Sequence, residues 1–287
     1  MKIALTGGTG YVGQFILAAA RGAGHDVTLL TRRGTGADDH IPWSLGEAPP
    51  LAGFDALIHA AFDHVPGKYR RGEGSDPAGF LRRNLNGTQT LFDAAARGGV
   101  GRIVFLSSRA VYGDYPPGTT LDEDMPLRPD TLYGTVKAGG EAALADLAPG
   151  LDVAASLRAT GVYGRAGPGL PHKWEGLFAD FLAGRPISPR AGTELHGEDL
   201  ARAILLLLTG RHHGVWNLSD ILIDRHDLLR EVARVAGRDL PLPARSGAPV
   251  SAMTTGRMGR LGWVPRGWDG LCRTLPDLVF AGSGRPG

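Results

Sequence analysis

The chain has 287 residues, 43% of them hydrophobic, and a formal net charge of +2, enough apolar material for one large or two modest domains. Its basic residues are scattered singly or in pairs, which excludes a nucleic-acid stripe and a polybasic membrane anchor. Cys272 is the sole cysteine, so an internal disulfide and a cysteine-built zinc site are excluded and a reducing, cytoplasmic setting is expected.

KIALT (2–6) predicts a strand at once, without the basic and long apolar regions of a secretion signal. TGGTGYVG (6–13) follows and opens a helix over Tyr11 to Arg21. Its Gly7, Gly10 and Gly13 have T-G-x-x-G-x-x-G spacing: glycine lets the backbone approach a pyrophosphate, and a helix N-terminus favours its charge. DVTLLT (26–31) is a second strand ending in Thr31-Arg32-Arg33. NAD binders place an acid there to hold the ribose hydroxyls. Two guanidiniums suit a 2′-phosphate instead, so NADP(H) is expected over NAD(H); two solvated loop arginines are the alternative.

DALIHAA (55–61) and RIVFLSS (102–108) read as further strands. Between them lies a helix, Asn84 to Arg97, with Leu85, Leu91, Phe92 and Ala95 on one face. A helix from about Thr131 to Leu147 precedes DVAASLR (152–158), another strand. Near-continuous apolar strands alternating with helices predict an α/β fold: a Rossmann-type, doubly wound parallel sheet covered on both faces. After Gly164 the pattern becomes discontinuous. GRAGPGLPHKWEG and RPISPRAGTELHG read as loops, EGLFADFLAG and the runs 198–209 and 226–236 as helices, and His212-His213 as a turn. AILLLL (203–208) is far too short to span a bilayer. The expected division is a dinucleotide-binding domain over 1–164, to which 195–220 returns. Residues 165–287 then form mainly a small substrate-binding part over the carboxyl ends of the strands.

Tyr133 and Lys137 stand four residues apart, on one face of a helix. A free tyrosine, with a pKa of about 10, is a poor base near neutrality. A nearby ammonium and a positive nicotinamide ring favour the phenolate. Ser108 ends a predicted strand upstream.

In chain order, T-G-x-x-G-x-x-G, HAAFD (59–63), RRNLNGT (82–88), SSRAVYG (107–113), Y-x-x-x-K, LRATGVYG (157–164), LHGEDLARAI (195–204), VWNLSD (215–220) and LGWVP (261–265) resemble the extended short-chain dehydrogenase/reductases. This is the NAD-dependent epimerase/dehydratase family, and the resemblance covers almost the whole chain. It implies that Tyr133 is the general acid/base and that Lys137 tunes it and holds the nicotinamide ribose. Ser108 would hydrogen-bond the substrate oxygen, and Ser107 would support the cofactor pocket. Gly7, Gly10, Tyr11, Val12, Gly13, Arg32, Arg33, Ala60, Ala61 and Asn84 would line the cofactor, with Thr160, Gly161 and Val162 beside the nicotinamide. Phe62, Arg109 and Arg190 are the candidate substrate contacts. The loop holding Lys68, Arg70 and Arg71 would lie near the substrate. The implied partners are a small-molecule substrate, sugar-like or anionic, and a second copy of the chain docked through two helices; no nucleic acid, membrane or metal is expected.

Three departures narrow this. Sugar 4,6-dehydratases of the family carry an Asp-Glu pair after the catalytic hydroxyl; Arg109 and Ala110 stand there, which disfavours that elimination. Nucleotide-sugar enzymes place a pyrophosphate-binding arginine four residues before the histidine of H-x-x-D. Here His196 and Asp199 are present but that place is Gly192, and Arg190 is the nearest substitute. The C-terminal part is also short. His196 and Asp199 are expected to position a loop or cap a helix. The leading expectation is an NAD(P)-dependent oxidoreductase acting on a carbonyl or hydroxyl carbon. A sugar or nucleotide-sugar epimerase and a non-catalytic dinucleotide-binding regulator are the alternatives.

Overall fold

A computed structural model describes residues 1–32, 39–64, 72–167 and 169–281. Arg33, Lys68, Arg70 and Arg71 lie outside the described residues. In chain order the elements are β1 (Lys2–Thr6), α1 (Tyr11–Gly22), β2 (Asp26–Thr31), β3 (His40–Pro42), β4 (Ala56–His59), α2 (Pro77–Leu81), α3 (Gly87–Arg97), β5 (Arg102–Ser108), α4 (Leu132–Leu147), β6 (Val153–Ala159), β7 (Gly161–Tyr163), α5 (Glu175–Leu182), β8 (Ala191–His196), α6 (Gly197–Leu208), β9 (His212–Leu218), β10 (Ile221–Asp224), α7 (Arg225–Ala236), α8 (Gly256–Gly259) and α9 (Gly267–Val279).

Seven strands form one sheet in the order β3-β2-β1-β4-β5-β6-β9, every pair parallel. The order reverses between β1 and β4, which opens a crevice at their carboxyl ends. The inner strands β1, β2 and β4 are mostly apolar because both faces are covered. One face carries Ile16, Leu17 and Ala20 of α1 with Leu200, Ile204 and Leu207 of α6. The other carries Leu91, Phe92 and Ala95 of α3 with Leu144 of α4. Each leucine, isoleucine and phenylalanine among them contributes about 1.5–3 kcal/mol by leaving water. A second sheet, β10-β8-β7, packs with α5, α7 and α9 around Tyr163, Trp174, Phe178, Leu229 and Leu275.

Four expectations need correction. The helix expected from Asn84 is preceded by a wide π turn over Arg82–Asn86. Leu85 falls in that turn and packs on Gly139 of α4 instead of lying under the sheet. RPISPRAGTELHG is not all loop: Ala191–His196 is β8, paired with both β7 and β10. His212 and His213 open β9 opposite Val153 and Ala154. β4 stops at His59 because the Ala60 and Ala61 amides turn to the Thr6 hydroxyl, both at 3.1 Å. Among the described residues no helix is long and apolar enough to cross a membrane.

Candidate active site

The glycine loop is a tight cradle. Gly7 has φ +71°, and a Cβ on it would lie 2.7 Å from the Ala60 carbonyl carbon and the Ala61 nitrogen. A Cβ on Gly13 would lie 2.0 Å from the Gly7 carbonyl oxygen. Gly10 caps α1 without a side-chain oxygen, and its first turn holds no acid. The N-cap therefore offers the first-turn amides no side-chain oxygen. Gln14 pins the loop by donating to the Gly8 carbonyl at 2.6 Å, and the Tyr11 hydroxyl donates to the Gly164 carbonyl at 2.7 Å. Tyr11 thus ties the cradle to the end of β7, and Val12 packs into the core. Arg32 is exposed just beyond β2.

Beside the cradle, His59 is buried between Thr6 and Thr88, at 2.7 Å and 3.0 Å. Thr6 Oγ1 already accepts from Ala60 and Ala61, so its proton goes to Nδ1, and Nε2 donates to Thr88. Burial, with the nearby Lys137 ammonium, lowers the ring's pKa to about 3. Asn84 spends its amide on the chain: it donates to the Asp63 and Phe80 carbonyls and accepts from the Asp63 amide at 2.8 Å. It therefore holds the 60–63 segment in place and directs no free amide group into the crevice.

Ser108 ends β5 in extended backbone, φ −152°, and its Oγ accepts from the Ala110 amide at 3.1 Å. Thr131 starts α4 by accepting from the Gly134 amide at 3.1 Å, a side-chain cap of the usual kind. Gly134 brings this helix end onto the Ser108 turn: a Cβ there would lie 2.5 Å from the Ala110 carbonyl oxygen. Tyr133 sits edge-on to Phe62 with centroids 4.9 Å apart. Lys137 is 3% exposed; its Nζ donates to the Leu106 carbonyl at 2.7 Å and lies 4.7 Å from the Phe62 centroid and 4.8 Å from that of Phe105. Burial lowers its pKa to about 7, against the opposing pull of Glu141. Phe62, Tyr133 and Lys137 thus pack together beside β5, with the start of α4 against the turn that follows Ser108.

Behind them runs a polar row, of which the sequence singles out Ser107 alone, as support for the cofactor pocket; in the structure its hydroxyl is spent on Glu141. Ser107, Arg158 and Asn217 stand opposite one another in register on β5, β6 and β9. Ser107 donates to Glu141, and Arg158 grips the same carboxylate with Nε and Nη2, the latter at 2.7 Å. Arg158 Nη1 also donates to the Tyr112 hydroxyl at 2.9 Å, which lies 2.8 Å from Asn217 Oδ1. Two signals point to this row: a charge inside the buried strand DVAASLR must be paired, and Glu141 continues the four-residue spacing of Tyr133 and Lys137.

Other candidates lie farther out. Arg109 donates to the Ser251 carbonyl at 3.1 Å, tying the β5 mouth to the C-terminal part. Arg190 is exposed just before β8. The Thr160 amide donates to the Leu218 carbonyl at 3.0 Å, and its Oγ1 is buried without a partner. Gly161 and Val162 pair with Glu194 and Leu195. A Cβ on Gly161 would fall on the Lys173–Glu194 ion pair, 2.0 Å from Nζ. His196 caps α6, accepting from the Glu198 amide at 3.2 Å. Fully buried Asp199 binds Arg202 and Arg266, and the Trp263 indole donates to its carbonyl at 2.9 Å.

A dinucleotide fits these residues. The cradle excludes any side chain where a pyrophosphate needs close backbone approach, and the N-cap Gly10 brings no side-chain oxygen to compete for the α1 amides.

The comparisons agree with this geometry. The model of the NAD dependent epimerase/dehydratase family matches residues 3–219. A UDP-glucose 4-epimerase from Corynebacterium glutamicum is 28% identical, covering 98% of this chain and 95% of its own. A dTDP-glucose 4,6-dehydratase from Streptomyces niveus is 34% identical over 75% of this chain and 70% of its own. Among solved structures, MoeE5 in complex with UDP-glucuronic acid and NAD superposes with a TM-score of 0.77 at 25% identity, covering 97% of this chain and 98% of that one. A UDP-glucose-4-epimerase from Stenotrophomonas maltophila with bound NAD has the same fold, with a TM-score of 0.80 at 24% identity and 98% coverage of both chains. A match over most of the chain, with the glycine cradle and the Ser108–Tyr133–Lys137 cluster at one crevice, places this protein in the NAD-dependent epimerase/dehydratase family.

Proposed function

We propose that the protein is an NAD(P)-dependent oxidoreductase that moves a hydride between a nicotinamide and a carbonyl or hydroxyl carbon. The observation that carries this is the meeting of Tyr133, Lys137 and Ser108 at the β5 mouth beside the glycine cradle. The nicotinamide supplies or accepts the hydride when bound. Ser108 Oγ orients the substrate oxygen, and Tyr133 gives or takes its proton. Lys137, when protonated, favours the phenolate at Tyr133. Holding these groups against one carbon supplies much of the acceleration. Gly7, Gly10 and Gly13 seat the pyrophosphate, Ala60, Ala61, Thr160, Gly161 and Val162 line the remainder, and Phe62 packs beside the reacting centre.

The relatives named above include UDP-glucose 4-epimerases, which supports a second reading. In it, a nucleotide-sugar epimerase holds its cofactor and returns the hydride to the opposite face. Arg109 and Ala110 lack the acids that the dehydratase route needs, so elimination is disfavoured although dehydratases are among the relatives. NADP(H) over NAD(H) rests on Arg32 and the lack of an acid at the β2 end; the solved relatives named above hold NAD. A cytoplasmic setting fits a single cysteine. Homodimer formation fits α3 and α4, which line a groove with Leu85, Gly139, Ala142 and Ala143. Residues 1–164 with 195–220 would hold the dinucleotide and the remainder would cover it.

The experiment is turnover with nucleotide sugars, aldehydes, ketones and alcohols, following nicotinamide absorbance and product together. An oxidoreductase changes absorbance in step with product; an epimerase makes product with no net change. No product from any of these classes would overturn both readings. Calorimetric titration with NADPH and NADH decides the cofactor, and equal or tighter binding of NADH overturns the NADP(H) preference.

A further inference from the structure

We infer that Glu141 is a positioning residue of the active site: it fixes α4 on the ends of β5 and β6 and, through that, sets Lys137 against Tyr133 and Ser108. The inference deepens the function proposed above and rests on it only in its catalytic readout.

Tyr133, Lys137 and Glu141 occupy successive turns along one side of α4. Two of them grip consecutive residues of β5, directly before Ser108. Lys137 Nζ donates to the Leu106 carbonyl at 2.7 Å, and Glu141 accepts from the Ser107 hydroxyl. The pair of ties fixes the helix in both slide and rotation relative to the strand that carries Ser108. Glu141 reaches one strand farther as well, to Arg158. Arg158 is in register with Ser107 and is itself held by the Tyr112 hydroxyl and the Glu123 carbonyl. One carboxylate thus joins α4, β5 and β6, and through Tyr112 and Asn217 the row continues to β9.

Burial makes this arrangement costly to explain by stability alone. Glu141 is 6% and Arg158 4% exposed. Desolvating such a pair costs several kcal/mol per ion, and well-packed apolar replacements are often neutral or stabilising. What apolar residues do not supply is directional hydrogen bonding that fixes one helix register, together with a negative charge beside Lys137.

That charge matters because of what else faces Lys137. Its surroundings are the Phe62 and Phe105 rings, the Tyr133 ring, the Leu106 carbonyl and the buried His59, which is neutral. Glu141 is the acid that acts to keep Lys137 protonated against burial. Arg158 is engaged by Glu141 itself. Without the carboxylate, Lys137 would lose its proton more readily and stop favouring the Tyr133 phenolate.

The test uses the full chain labelled with lysine carrying ¹³C at Cε. The sequence has four lysines, Lys2, Lys68, Lys137 and Lys173, and Lys2→Arg, Lys68→Arg and Lys173→Arg assign the Lys137 signal. In the wild type it titrates at about 7. In Glu141→Gln the midpoint falls further, by about one pH unit, a roughly tenfold loss of proton affinity. Glu141→Asp keeps the charge one methylene farther away and gives a smaller fall, which keeps the test decisive if Glu141→Gln does not fold. Turnover follows the same order: kcat falls about tenfold or more in Glu141→Gln, with substrate KM and cofactor Kd nearly unchanged. A Lys137 midpoint that does not move in the folded variants overturns the inference, as does wild-type kcat in Glu141→Gln. The titration needs no substrate, so failure of the proposed activity would leave it readable and the two failures distinct.

Discussion

Mild acid attacks the fold at His59. The ring is satisfied only when neutral: Nδ1 accepts from Thr6 and Nε2 donates to Thr88. Protonation puts a hydrogen on Nδ1 facing the Thr6 proton and a charge in a fully buried site near Lys137. The pKa accordingly drops from 6.5 to about 3. A group whose folded pKa is depressed contributes stability that is present above its unfolded pKa and lost as pH falls through the folded one. The window here runs from 6.5 down to about 3. At about 1.4 kcal/mol per pH unit, roughly 2 kcal/mol is lost by about pH 5 and about 5 kcal/mol at the full extent. Urea unfolding of the wild type and His59→Gln at about pH 7.5 and about pH 5 isolates the term, because every other carboxylate and histidine titrates in both proteins. The wild type should lose about 2 kcal/mol more than the variant over that interval. Equal losses would refute a buried neutral imidazole at this position.

Three further outcomes follow from close contacts. Gly134→Ala puts a methyl 2.5 Å from the Ala110 carbonyl oxygen, so α4 must move off the Ser108 turn; unfolding should show a loss of about 1–3 kcal/mol, and turnover should fall about tenfold or more. Gly13→Ala meets the Gly7 carbonyl at 2.0 Å and should weaken dinucleotide binding at least about tenfold by calorimetry, with turnover recovering at raised cofactor concentration. Asp199→Asn removes the charge that Arg202 and Arg266 share; both arginines are partly exposed, so a loss of about 2 kcal/mol in urea unfolding is expected rather than the full cost of a broken buried pair.

Much of the large sheet was readable because its strands are covered on both faces and are therefore apolar runs bounded by glycine and polar residues. The second sheet was not. β8, AGTELH, is half-buried and mixed, and its partners Gly161 and Ile221 lie far away in sequence, so no local turn announces it. Helix α9 is hidden by Pro276 within it. Leu85 defeats a simple helical count because the π turn adds a residue to the turn before α3. At the candidate site, Tyr133, Lys137 and Ser108 were marked by spacing and resemblance; the structure sets Lys137 beside the Tyr133 ring and the start of α4 against the turn after Ser108. Asn84 was marked by resemblance as a cofactor contact, but its amide serves the Asp63 and Phe80 backbone. Arg109 stood out as a charge at a strand mouth; its Ser251 contact depends on a chain segment 142 positions on, which no local pattern encodes.

The central claim is that proton transfer at Tyr133 accompanies hydride transfer at the β5 mouth. Its most direct test is Tyr133→Phe, which removes one oxygen from a half-buried ring and leaves the Phe62 contact in place. Single-turnover rates on the first substrate found should fall by about two to four orders of magnitude, while dinucleotide affinity measured by calorimetry stays within a few-fold of the wild type. A Tyr133→Phe protein that turns over at the wild-type rate would contradict the account.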